Sequence, residues 1–72
     1  MPQQQIASEL VANVAQVHVC VGQRVEAGQE LVLLESMKME IPMLAEAPGT
    51  VTAVHVVPGD VVQEGDVLVV LE

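Results

Sequence analysis

Slid against itself by 37 residues, this chain matches itself. Residues 14–35 fall on residues 51–72, and 11 of those 22 positions are identical with no gap. The pairs are Val14/Val51, Val17/Val54, His18/His55, Val19/Val56, Gly22/Gly59, Val25/Val62, Gly28/Gly65, Leu31/Leu68, Val32/Val69, Leu34/Leu71 and Glu35/Glu72. Chance does not readily produce this, even among 16 valines, because two glycines and a histidine of each half coincide. Glu9/Glu46 keeps the same offset further upstream. At 72 residues the chain is expected to form a single domain over 1–72, built from equivalent halves at about 6–37 and 43–72.

Each half reads as strands joined by turns. In the second half, residues 51–57 are expected to be a strand, followed by a turn at Pro58-Gly59-Asp60, where Pro fixes φ and Gly permits a positive φ. Val61-Val62 is a short strand, Gln63-Glu64-Gly65-Asp66 a second turn, and residues 67–71 a last strand. The first half repeats this around Gly22 and Gly28, and residues 6–11 and 40–44 add one strand per half. Apolar residues alternate or run in short blocks, so no window supports a helix. Eight strands in two copies predict an all-β protein: two four-stranded sheets face to face, related by a pseudo-twofold axis. That axis puts residues 36–39 at one end and both termini near the other.

Composition fits this plan. Half of the residues are apolar and none is aromatic. β-Branched side chains suit a pleated, half-buried surface, but a short chain without aromatic rings must build its core from many small contacts. Ten acids face two bases, a formal charge of −8. That argues against nucleic acid, whose binding requires phosphate neutralisation by Lys and Arg, and against an anionic membrane surface. It favours a monomer and suits either plain solubility or a partner with a more basic dock. The single cysteine, Cys20, excludes an internal disulfide. With no basic-then-apolar leader and no apolar run of membrane-spanning length, a cytoplasmic protein is expected.

Lys38 is the only lysine, and Arg24 the only other base. It sits in a bridge short enough to be a tight hairpin, where Asn-Gly or Asp-Gly would be favoured over Met and Lys. Such local breaks in the rules tend to fall at functional sites. A lysine at a protruding tip is accessible to a modifying enzyme, and a group tethered there is held at a local concentration on the order of millimolar. Met37 and Met39 either fill space or offer an adaptable apolar contact to partner enzymes; Met43 reads as core. His18 and His55 are expected to point outward, without the partners that a metal site or general base needs. Cys20 is expected to be inert and partly covered. No catalytic triad order, phosphate loop or zinc spacing is present.

At this point the residues resemble those of a known family. Glu35-Ser36-Met37-Lys38-Met39-Glu40 is similar to the attachment motif of biotinyl domains, whose centre is Met-Lys-Met. The run from Val56 to Leu68, with Pro58-Gly59-Asp60 and Gly65-Asp66, and the segment Pro48-Gly49-Thr50-Val51 also resemble that family. The resemblance implies a flattened β-barrel of two four-stranded antiparallel sheets. It implies covalent biotin on Lys38, attached by a biotin protein ligase, with Met37, Met39 and Glu35 as flanking recognition residues. A biotin carboxylase would then carboxylate the biotin, and the arm would carry the carboxyl group to a carboxyltransferase acting on an acyl-CoA, as in fatty acid biosynthesis, or on a related acceptor. Such a chain is a carrier and not an enzyme, the hard chemistry being the cofactor's.

Two departures from the family pattern set further expectations. The first-half counterpart of Pro48-Gly49-Thr50 is Val11-Ala12-Asn13. Ala12 does not adopt positive φ cheaply, so that corner is expected to bend differently. No extra loop interrupts the first half, so the chain resembles the thumbless carriers. Without an Ala/Pro-rich linker it reads as either a free-standing carrier or a domain excised from a longer polypeptide. Rival readings are a lipoyl domain, which usually has Asp and Ala where Met37 and Met39 stand, and an adaptor whose lysine is never modified.

Overall fold

The computed structural model describes residues 3–72; Met1 and Pro2 lie outside them. The chain forms β1 (Gln4–Ala7), β2 (Ala12–Val17), β3 (Arg24–Val25), β4 (Glu30–Ser36), β5 (Met39–Leu44), β6 (Gly49–Val54), β7 (Val61–Val62) and β8 (Val67–Leu71). They make two four-stranded antiparallel sheets, ordered β1-β8-β6-β3 and β5-β4-β2-β7. The 37-residue offset carries β2 onto β6 and β3 onto β7, residue for residue. It therefore maps one sheet order onto the other. Each sheet takes its two central strands from one half and its two edge strands from the other, β1 and β3 flanking β8 and β6, and β5 and β7 flanking β4 and β2. Neither half keeps all four of its strands in one sheet. Even the ladder irregularities are duplicated, lying between Val14 and Gln16 in one half and between Val51 and Ala53 in the other.

The repeat is a record of the core. Six of the eleven identical pairs (14/51, 19/56, 25/62, 31/68, 32/69 and 34/71) are buried on both sides of the match. With no aromatic ring, the largest fully buried side chains are Leu31, Leu34, Leu68 and Leu71. Full burial of each is worth roughly 1.5–3 kcal/mol relative to exposure.

Two more identical pairs are the turn glycines. In the turn Val57-Pro58-Gly59-Asp60, the φ of Gly59 is 97° and the Asp60 amide donates to the Val57 carbonyl at 3.1 Å. This is a type II turn, which demands positive φ at its third residue. Asp60 Oδ2 also accepts the Val57 amide at 3.0 Å. The other three turns are locked alike, by Gln23 on Cys20, Gln29 on Glu26 and Asp66 on Gln63. A Gln or Asp directly after each turn glycine fastens the turn from outside.

Strand ends differ from the sequence expectation at several places. β1 ends at Ala7 instead of reaching residue 11. The cause is Ser8, whose Oγ donates to the Leu10 carbonyl at 2.6 Å and accepts from the Leu10 amide at 3.3 Å. This local hydroxyl turn competes with the ladder and bends the chain. β6 is Gly49–Val54, earlier than the expected 51–57, because residues 55–57 cross to the other sheet after His55 N–H bonds to the Leu68 carbonyl at 2.8 Å. β5 begins one residue early, at Met39.

The corner at Ala12 also corrects an expectation. Gly49 has no positive φ, and both Ala12 and Gly49 are the first, buried residue of a strand. The two corners are alike. What singles out Gly49 is space, since a Cβ there would lie 2.9 Å from the Glu72 carbonyl oxygen.

Candidate functional site

β4 and β5 form a hairpin in which Ser36 pairs with Met39, Glu35 with Glu40 and Leu34 with Ile41. Only Met37 and Lys38 lie between Ser36 and Met39, and both have positive φ, 53° and 67°. Left-handed backbone at both central residues defines a type I′ turn. Neither residue is Gly, Asn or Asp. A residue with a Cβ pays roughly 1–2 kcal/mol for this conformation. The turn keeps the register of the hairpin while carrying two side chains ill suited to it.

Everything at the tip faces solvent. Met37 is 91% exposed and Met39 63% exposed; Lys38 is exposed too. Neither of the two close base–acid contacts among the described residues, His18 with Glu30 and Arg24 with Glu26, involves Lys38. A groove between β1 and β5, lined by Ile6, Leu10, Ile41 and Met43 among others, does not include it. The amine therefore projects from an exposed tip.

The tip lies at the opposite end from Gln4 and Glu72. β2 runs away from the hairpin, from Asn13 opposite Glu35 to Val17 opposite Val32. The chain continues with the His18 amide on the Leu31 carbonyl, and by Gly22 it has reached Val51, which pairs with Leu71 beside Gln4. The long dimension of the body is 35 Å, against 18 Å across.

Glu35 is exposed and directly opposite Glu40 at the base of the tip. Like charges facing across a ladder destabilise it modestly. Sequence reasoning singled out Glu35 but not Glu40, although a two-residue turn at 37–38 already fixes that pairing by counting outward. It also missed Ser36, whose Oγ donates to the Val11 carbonyl at 3.2 Å.

The remaining candidates are scattered. His18 and His55 are exposed, and His18 Nε2 lies 2.6 Å from Glu30 Oε2, a partner that the sequence did not reveal. Cys20 is exposed, not partly covered as expected; among the described residues its side chain meets Gln23 Oε1 at 3.9 Å. Met43 packs partly buried against the core. No group of three or more His, Cys, Asp or Glu side chains is arranged to hold a metal among the described residues.

The family model described as "Biotin-requiring enzyme", for biotin and lipoyl domains, matches residues 3–71. The chain belongs to this biotin/lipoyl family. Within it, the chain is 47% identical over 46 residues to a biotin/lipoyl attachment protein of Bacillus subtilis, covering 64% of this chain and 63% of that protein. It is 51% identical over 47 residues to the biotinylated protein TB7.3 homolog of Mycobacterium leprae, covering 65% and 66%. The matches thus span just under two thirds of each relative.

Among solved structures, urea carboxylase of Kluyveromyces lactis superposes over 100% of this chain and 6% of its own, with a TM-score of 0.91 and 29% identity. A single-chain, multi-domain long-chain acyl-CoA carboxylase superposes over 94% and 7%, with a TM-score of 0.88 and 35% identity. The lipoyl domain of the 2-oxoglutarate dehydrogenase complex of Azotobacter vinelandii superposes over 86% and 78%, with a TM-score of 0.75 and 31% identity. The biotin/lipoyl chain thus resembles a small part of two large carboxylases and most of one lipoyl domain.

Proposed function

We propose that this chain is a biotin carboxyl carrier and that Lys38 is its attachment residue. The observation that carries the reading is the tip: a Met-Lys-Met sequence on a strained two-residue turn, with its lysine amine in solvent. An ε-amine fits the carboxyl end of biotin because the two form an amide. Forming it removes the charge of Lys38 and takes the formal charge from −8 to −9. When bound, biotin supplies a carrier for a carboxyl group passing from a biotin carboxylase to a carboxyltransferase.

The protein's own part is delivery. The rigid sheets fix the root of the arm at one end of the body, and the lysine stem gives it reach. Met37 and Met39 offer soft apolar contact to the ligase and the two partner enzymes, with Glu35 beside them. The chain supplies no catalytic group in this reading. Its acceptor is set by the partner, since the same fold occurs within a urea carboxylase and a long-chain acyl-CoA carboxylase. A cytoplasmic location accords with an exposed free thiol at Cys20, which suits a reducing compartment.

A lipoyl carrier is the second reading, favoured by the superposition on a lipoyl domain. Intact-mass and peptide mapping after incubation with ATP and either biotin plus a biotin protein ligase, or lipoate plus a lipoate ligase, separates the two. One biotin on Lys38, and none on Lys38→Arg, is expected. Lys38→Arg keeps a long cation at an exposed position and is expected to change stability by no more than about 0.5 kcal/mol. Lipoate on Lys38 with no biotin moves the chain to the second reading, and labelling by neither ligase overturns both.

A further inference from the structure

The ladder between β2 and β4 stops at Asn13 and Glu35, so residues 36–39 project beyond its last pair. β5 is an edge strand, so the projecting hairpin has a neighbour on one side only. Among the described residues, one side-chain hydrogen bond ties this projection to the rest of the protein: Ser36 Oγ to the Val11 carbonyl oxygen at 3.2 Å, across 25 positions of sequence. The next two residues, Met37 and Lys38, are held at positive φ, a conformation that both abandon readily if the hairpin loosens.

We propose that Ser36 is a positioning residue for the modification of Lys38, its hydroxyl holding the strained turn against the start of β2 so that the amine is presented in one geometry. The inference rests on the biotin reading above. Its logic is one of populations. A ligase that accepts only the tight turn sees an affinity lowered by the fraction of molecules in that turn. Removing the anchor lowers the fraction, while the chemistry in the bound complex stays the same. The effect therefore belongs in KM and not in kcat.

The test is steady-state biotinylation of the whole chain by a biotin protein ligase, with wild type, Ser36→Ala and Ser36→Thr compared. Thermal unfolding of each verifies that it is folded. Ser36→Ala is expected to raise KM for the carrier by up to roughly fivefold, the factor set by the net worth of one hydrogen bond, with kcat unchanged. Ser36→Thr keeps the hydroxyl on a residue that strands tolerate and is expected to stay near wild type. An unchanged KM in Ser36→Ala, a loss in kcat alone, or a Thr variant no better than Ala overturns the proposal and leaves the biotin reading standing. A wild-type chain that takes no biotin removes that reading, and this inference with it.

Discussion

At Met37 the backbone holds φ at 53° while the side chain is 91% exposed. Packing cannot be the reason for methionine there, because almost nothing packs on it. The strain at Lys38 is inherent in placing an amine at the second turn position. The strain at Met37 is not, since a first turn position with positive φ favours Asn. Met37→Asn is therefore expected to stabilise the protein by about 1 kcal/mol, a rise in Tm of roughly 4–8 °C for a domain of this size. Differential scanning calorimetry checks it. A lower Tm would show that the methionine side chain holds the tip despite its exposure. A higher Tm together with poorer labelling by the ligase would show that Met37 is kept for its contact with partners. That is the pattern expected where function retains a locally unfavourable residue.

At the scale of the strands, Gly49 and Ala12 hold equivalent places and are not interchangeable. A Cβ on Gly49 would sit 2.9 Å from the Glu72 carbonyl and 3.4 Å from Leu71 Cβ. That carbonyl accepts the Thr50 amide at 2.7 Å, and the Glu72 amide donates back to Thr50 at 2.9 Å. Backbone cannot yield there without loosening the rung, so Gly49→Ala is expected to cost about 1–3 kcal/mol, the range for overpacking a tight site. Ala12→Gly keeps the space and loses chiefly strand entropy, about 0.5–1 kcal/mol. Urea unfolding of both variants gives the comparison, and equal losses would mean that the approach to Glu72 is not the constraint.

The same strands show what the sequence makes legible. Turns were readable because a Gly followed by Gln or Asp is a local chemical instruction, and core positions because the repeat preserves them. The hairpin at residues 37–38 was readable from the shortness of the bridge. The end of β1 was not, because it depends on the Ser8 hydroxyl choosing Leu10 over solvent. Nor was the exchange of edge strands between the halves, because β3 and β7 are only two residues long and β1, β3 and β7 pair with strands distant in sequence. The Ser36 contact with Val11 and the His18 contact with Glu30 were hidden for the same reason: distance in sequence says nothing about proximity across a ladder.

For the molecule as a whole, the unresolved tension is between a small core and a large charge. A charge of −8 is spread over a body of 35 × 18 × 18 Å. Opposing attractions are few. Arg24 and Glu26 are 3.9 Å apart and largely exposed, a kind of pair worth little, and the tip sets Glu35 against Glu40. Repulsion should therefore outweigh attraction and weaken the compact state. At about 0.01 M ionic strength the Debye length is roughly 30 Å, close to the long dimension of the body, so most acids sense one another; at about 0.15 M it is roughly 8 Å and only neighbours do. Tm is thus expected to rise on adding sodium chloride across that range, with the steepest gain at the low end. The biotinylated form, more negative by one charge at the tip where Glu35 and Glu40 already face each other, should gain slightly more than the unmodified chain. Scanning calorimetry of both forms at matched pH reads this directly. A Tm that falls with salt would mean that attraction between opposite charges, such as Arg24 and Glu26, outweighs the excess of acids.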